Sequence, residues 1–198
     1  TPLNAITSIV ELLKDEVNPE GKELLGSLKF ASSNLIKIVN DVLDFTKLDS
    51  NKSKLEMAPS ALAILAKNIV SVYEKQAHEK GLYLTLNCDL SKEMIYNLDE
   101  TKITQVLNNL ISNAIKFSGK GDLLTVFLKE NEDNVTVKIK DTGLGISEEN
   151  LQKLRNRESF TTIGKDKESG TGLGMLLVHD YVIKNGGELK IQSQQGKG

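Results

Sequence analysis

Three stretches of this chain combine residue types and spacings that could do chemistry. The first is Asp141-Thr142-Gly143-Leu144-Gly145-Ile146. It follows the alternating run Val135, Val137, Ile139, whose period of two predicts a strand with one buried face. A carboxylate at the end of a buried strand is costly unless a donor meets it. Two glycines one residue apart let the chain turn sharply and bring backbone close to a ligand. The arrangement suits a purine whose exocyclic amine donates to Asp141 while the ring lies over Gly145 and Ile146. Asp-Thr-Gly is also good turn chemistry, and the hexapeptide by itself favours a plain turn.

The second stretch runs from Gln105 to Phe117. Asn109, Asn113 and Lys116 are spaced by four and three and share one face of a helix. Val106, Leu107, Leu110, Ile111, Ala114 and Phe117 supply its buried side. Amides in mid-helix are not favoured by propensity, so two in register need a reason. Carboxamide oxygens are neutral hard ligands, suited to magnesium already held by phosphates. Lys116 would then offset phosphate charge. A solvated amide stripe on an amphipathic helix fits the same spacing equally well. The third stretch, Gly170-Thr171-Gly172-Leu173-Gly174-Met175, opens a helix and exposes backbone N–H groups to an anion. A flexible loop ending in a helix cap is the plain alternative. Before it, residues 158–164 read as a movable lid, with Phe160 as anchor and Gly164 and Gly170 as hinges. Lys165 and Lys167 are within reach of a terminal phosphate on this reading. His78, His179 and Cys88 lack the neighbours that catalysis or metal binding needs.

The elements that must position these residues fall into two textures. Leu3, Ile6, Val10 and Leu13 predict a helix over residues 1–15, stopped by Asn18-Pro19-Glu20-Gly21. A second helix is predicted from Lys22 to Leu48, with apolar rows through Leu24, Leu28, Leu35, Ile38, Val42 and Phe45 and through Leu25, Ile36, Val39 and Leu43. That stripe is wider than one short helix can cover. It predicts a helical hairpin that pairs with a second copy into a four-helix bundle, rather than one helix packed on its own domain. Asp49 to Ser60 is a polar linker, and the domains are predicted as 1–55 and 56–198. Beyond it come a helix over 59–80, a strand at 82–86, the amide helix from Asp99 or Glu100, and strands at 123–129 and 135–141. A short helix follows Ser147, another covers 172–185, and a last strand covers 188–193. This order predicts an α+β two-layer sandwich, with a mixed sheet covered by helices on one face.

Composition excludes several classes. The 198 residues are 39% hydrophobic and 26% charged, ordinary for a globular protein. A net charge of -2 gives no basis for a nucleic-acid surface. A single cysteine excludes an internal disulfide. No apolar run approaches the roughly 18 residues of a membrane span, so no membrane contact is expected of this stretch. Thr1 is not a natural start, and the chain reads as a piece excised from a longer protein.

The amide helix, Asp141-x-Gly143-x-Gly145 and Gly170-x-Gly172-x-Gly174 come in the order seen in the GHKL, or Bergerat-type, ATP-binding superfamily. Within it the chain closely resembles the sensor histidine kinases of two-component systems. Leu107 to Ser118 is similar to their N-box, and the two glycine stretches to their glycine boxes. Phe160 resembles the phenylalanine of their F-box, without the Glu-Pro-Phe context common there. Asp41 to Leu48 resembles the foot of their dimerisation helix, and Thr1 to Ile6 the tail of the phosphoacceptor motif.

The resemblance implies that Asp141 binds the adenine amine and that Asn109 and Asn113 hold magnesium and phosphate, with Lys116 near the phosphates. Gly143, Gly145, Ile146, Phe160, Thr162, Gly170, Thr171, Gly172, Leu173 and Gly174 would line the rest of an ATP site. It implies ATP and Mg2+ as cofactors, a homodimer through the N-terminal helices, and a response-regulator receiver domain as partner. It implies a cytoplasmic location, with any sensor or inner-membrane anchor outside this stretch. The acceptor histidine of the family lies four residues before the position of Thr1, so residues 1–198 do not include it. Two rival functions remain. A GHKL ATPase needs a water-activating carboxylate one turn before Asn113, where this chain has Asn109. A degenerate kinase would only dimerise and dock a receiver domain.

Overall fold

The computed structural model describes residues 2–13, 17–49, 54–158, 164–165 and 172–198. They form two units, Thr1–Lys52 and Ser53–Gly198. The first holds helix α1 (Pro2–Leu13) and helix α2 (Pro19–Asp49), packed on each other. Helix α2 starts earlier than the predicted Lys22, because Asn18-Pro19 is a cap and not a break. The Asn18 Oδ1 accepts from Gly21 N at 2.8 Å, and Pro19 takes the first position, where no N–H is required. Much of the apolar stripe stays uncovered within this unit. Leu12 is 76% and Leu24 72% exposed, and Ile9, Leu35, Val42 and Leu43 are exposed too.

The second unit begins with strand β1 (Ala58–Ser60), antiparallel to strand β3 (Tyr96–Leu98) in the register Ala58↔Leu98. Helix α3 (Leu62–Glu79) follows β1 and starts later than the predicted Pro59, whose residue belongs to the strand. Strand β2 (Tyr83–Cys88), strand β4 (Leu123–Glu130) and strand β5 (Val135–Asp141) make the main sheet, in the order β2-β4-β5. β2 runs parallel to β4, while β4 and β5 form an antiparallel hairpin closed by Asn131 N donating to Asn134 O at 2.8 Å. Leu124, Val126 and Leu128 of β4 point into the core with Ile69, Ile111 and Ile115, while Leu123, Thr125 and Lys129 point away from it. Helix α4 (Glu100–Phe117) carries the amide face; helix α5 (Glu148–Arg155) and helix α6 (Gly174–Lys184) complete the unit. The result is the two-layer sandwich that the order of elements predicts.

The start of α4 is held by one buried carboxylate. Asp99, 3% exposed, accepts from Lys102 N at 2.9 Å and from Glu56 N at 3.0 Å, and its own N–H donates to Asn185 Oδ1 at 2.9 Å. One residue thereby caps α4, fixes the entry segment and reaches the end of α6.

The predicted last strand is not realised as a ladder. Residues 188–193 alternate as expected, with Leu189, Ile191 and Ser193 half-buried between exposed neighbours, but no described strand pairs with them. Alternation makes one face apolar; a strand also needs a hydrogen-bonding neighbour.

Candidate nucleotide-binding site

Helix α4 is the common element of the site. At its C-terminal end, β5 delivers Asp141 opposite Leu124 of β4. The Asp141 Oδ1 accepts from Gly143 N at 3.0 Å, which leaves Oδ2 without a donor among the described residues. The loop then seats on the end of α4, where Leu144 N donates to Phe117 O at 3.0 Å. A Cβ at Gly143 would lie 2.5 Å from Phe117 O and 2.8 Å from Ser118 Oγ. Gly145 has φ 64, and a Cβ there would collide with the carbonyl of Gln194. Close approach to protein backbone is sufficient reason for both glycines. Ile146 N is likewise engaged, donating to Ser193 Oγ at 2.8 Å.

Two turns back along α4, Asn109 is 7% exposed and its Nδ2 is buried without a partner among the described residues. Its carboxamide faces the start of α6: a Cβ at Gly174 would lie 3.5 Å from Asn109 Oδ1. Gly172 has φ 74, Leu173 is the N-cap residue, and no side chain among the described residues caps the helix. Uncapped N–H groups and the positive end of the helix dipole favour an anion at this point. Asn113 lies half-buried one turn beyond Asn109. Lys116 sits a further turn on, its ammonium 4.7 Å from the Phe117 ring centroid. Phe117 and Asn109 are eight positions apart, about 12 Å along the helix at the α-helical rise. One helix thus spaces a lone carboxylate oxygen from an uncapped helix terminus by about the reach of a nucleotide.

Among the described residues no three or more His, Cys, Asp or Glu side chains gather as metal ligands. A divalent ion here would rest on the Asn109 and Asn113 amide oxygens together with phosphates. The orphaned amide of Asn109 fits that role, since rotation about its Cβ–Cγ bond presents the oxygen where the nitrogen now lies.

Lys165 does not point to this site. Its Nζ lies 2.8 Å from Asp122 Oδ2, and its N–H donates to Lys116 O at 3.2 Å. That ammonium, seconded by Gly119 N, holds the Asp122 carboxyl below its usual range. The expectation that Lys165 reaches a phosphate is therefore replaced by a structural ion pair. Phe160, Thr162, Gly170, Thr171 and Lys167 lie outside the described residues. Sequence reasoning does not point to Ser118 or Ser193. Ser118 is fully buried, with its Oγ against Gly143 and without a partner among the described residues, and Ser193 holds Ile146. The only sequence signal for Ser118 is a hydroxyl residue closing the amide helix.

The described residues thus pair a helical hairpin with a two-layer sandwich in which α4 meets the acidic loop at one end and the start of α6 nearer the other. The family models agree. Residues 98–198 match "Histidine kinase-, DNA gyrase B-, and HSP90-like ATPase", and residues 1–51 match "His Kinase A (phospho-acceptor) domain". The chain belongs to this ATPase family and carries, ahead of it, a match to the phospho-acceptor domain of histidine kinases. It is 34% identical to the signal transduction histidine-protein kinase BarA of Escherichia coli (strain K12), a match covering 100% of this chain and 22% of that protein. It is 32% identical to the autoinducer 2 sensor kinase/phosphatase LuxQ of Vibrio cholerae, over 100% of this chain and 24% of that protein. The chain thus spans about a quarter or less of these relatives. The crystal structure of full-length ShkA in complex with AMPPNP is similar at TM-score 0.75 and 25% identity, covering 99% of this chain and 41% of that one.

Proposed function

We propose that the second unit binds Mg-ATP along α4 and directs the γ-phosphoryl group to a histidine of the phospho-acceptor helix. From there it would pass to an aspartate of a response-regulator receiver domain. Asp141 Oδ2 accepts from the adenine amine, Asn109 and Asn113 hold the metal and phosphate oxygens, and Lys116 and the α6 terminus offset phosphate charge. Lining roles are assigned likewise to Gly143, Gly145, Ile146, Phe160, Thr162, Gly170, Thr171, Gly172, Leu173 and Gly174. Bound magnesium would neutralise charge on the β- and γ-phosphates. The imidazole nitrogen attacks phosphorus in line, the bond to the bridging oxygen breaks, and ADP leaves. The hinge is the part of the predicted 49–60 linker that precedes Glu56, since Glu56 N is held by Asp99 and Ala58–Ser60 pair with β3, and the domains are read as 1–55 and 56–198.

The observation that carries this reading is the buried, unpartnered amide of Asn109 against the uncapped start of α6. The ShkA complex with AMPPNP supports a nucleotide at this fold. Asn109 is neutral and cannot activate water as a base, which disfavours the ATPase alternative. The uncovered stripe of α1 and α2 supports a homodimer. Among the described residues no helix is long and apolar enough to cross a membrane.

Calorimetry with ATP, with and without Mg2+, tests the site. Asp141→Asn is expected to weaken ATP roughly tenfold to a hundredfold, the worth of one charge-assisted hydrogen bond. Equal affinity in the variant would falsify the adenine contact. Absence of any magnesium-dependent nucleotide binding in the unaltered chain would leave the docking-module alternative.

A further inference from the structure

We propose that the cavity between α5, α6 and the extended segment 189–192 is a second binding site, shaped for a small organic anion with an apolar body and engaged by Arg157. The cavity is about 410 Å³, within the usual range of small-molecule sites. Leu154, Met175, Leu176 and Ile191 supply apolar wall. The ionisable side chains that line it are Arg155, Arg157, His179 and Lys190, and no acidic residue lines it among the described residues. Arg155 is paired with Glu148 at 2.9 Å and Lys190 with Glu188 at 2.9 Å. Arg157 is therefore the lining guanidinium without a carboxylate partner among the described residues.

The backbone at Arg157 is unusual in its own right. Helix α5 ends with Arg157 N donating to Leu154 O and Glu158 N to Lys153 O, the paired bonds of a left-handed helix ending. Arg157 takes the position that usually belongs to glycine, with φ 58, as the one non-glycine residue at positive φ among those described. A strained arginine whose side chain borders a cavity points to function more than to folding. His179 is consistent with this. Burial lowers its pKa most, Arg157 lowers it further, and Asp180 opposes them. A carboxylate or phosphate in the cavity would relieve the repulsion between Arg157 and protonated His179. The cavity is separate from the nucleotide residues of α4 but shares the first turn of α6, since Met175 and Leu176 directly follow Gly174.

The test uses three probes on the whole chain, with binding located by NMR signals of the Met175 methyl and the His179 ring. Octanoate is expected to bind there. Octanol lacks the charge and inorganic phosphate lacks the apolar body, and each is expected to bind at least about tenfold more weakly. Arg157→Gln is expected to weaken octanoate by at least about tenfold. Arg157→Gly should lose the same affinity while raising Tm, because glycine relieves the left-handed backbone; that separates loss of the site from loss of the fold. Octanol or phosphate binding as tightly as octanoate, or undiminished octanoate affinity in Arg157→Gly, overturns the proposal. So does octanoate that leaves both reporter signals unmoved.

Discussion

Substituting Gly143 by Ala tests whether the end of α4 seats the acidic loop. The added Cβ would lie 2.5 Å from Phe117 O, 2.9 Å from Phe117 C and 2.8 Å from Ser118 Oγ. None of these belongs to the far end of a flexible side chain. The Phe117 carbonyl closes the helix and accepts from Leu144 N at 3.0 Å, and Ser118 is fully buried. The loop must lift, losing that hydrogen bond and shifting Asp141. Overpacking costs about 1–3 kcal/mol, and the lost bond about 1 more. A total of about 2–4 kcal/mol corresponds to a drop of roughly 6–15 °C in Tm for a unit of this size. All four tyrosines, at 73, 83, 96 and 181, lie in the second unit, so tyrosine fluorescence follows that unit alone. Gly121→Ala is the matched control. Its φ is +86 and nothing lies within 4 Å of the new Cβ, so it should cost about 1–2 kcal/mol of backbone strain and leave ATP affinity intact. If Gly143→Ala melts with the unaltered chain and binds ATP equally well, the seating of the loop on α4 is wrong.

Other outcomes follow from single residues. Asn109→Leu removes a buried amide whose Nδ2 has no partner among the described residues, so it should hold or raise Tm, by up to about 1–3 kcal/mol in stability, while abolishing magnesium-dependent ATP binding in calorimetry. Asp99→Ala removes the acceptor of Lys102 N and Glu56 N, and urea unfolding should show a loss of about 2–4 kcal/mol. His179 has a folded pKa below the ordinary imidazole value of 6.5. The unfolded chain therefore binds more protons as pH falls through 6.5, so the contribution of His179 is present above that pH and declines below it. Urea titrations at about pH 7.5 and about pH 5.5 should show this decline, and His179→Gln should reduce it.

Local signals were legible and long-range ones were not. The start of α4 at Asp99, the start of α5 after Ser147 and the hairpin turn at Asn131–Asn134 each rest on side chains acting within three residues of themselves. β1 and β3 are three residues each and pair across 38 positions, from Ala58–Ser60 to Tyr96–Leu98, too short to show a period. Pro19 reads as a breaker and acts as a helix start, because the same missing N–H suits both. Lys165 stands in a charged run with nothing local to say that Asp122, 43 residues earlier, is its partner. For the candidate site, spacing places Asn109, Asn113 and Lys116 on one helix, and α4 carries all three. The reason for Gly143 and Gly145 was not legible, since it lies in Phe117, Ser118 and Gln194.

These contacts give α4 a role that its spacing alone does not reveal. Its last carbonyl and Ser118 fix the acidic loop, and its Asn109 amide meets the first residue of α6. The distance between the two ends is set by a hydrogen-bonded helix whose opposite face, Val106, Leu107, Ile111 and Ile115, is buried in the core. A ligand that needs one acceptor and one anion-binding terminus at fixed separation therefore meets a nearly rigid gauge. An apolar side chain at Asn109 would fill the same space without an unsatisfied donor. An amide nitrogen there without a partner costs stability, and on the proposed reading the bound metal and phosphates are what offset that cost. On the proposed reading, Asp141 Oδ2, without a donor among the described residues, is the acceptor that the ligand meets at the other end of α4.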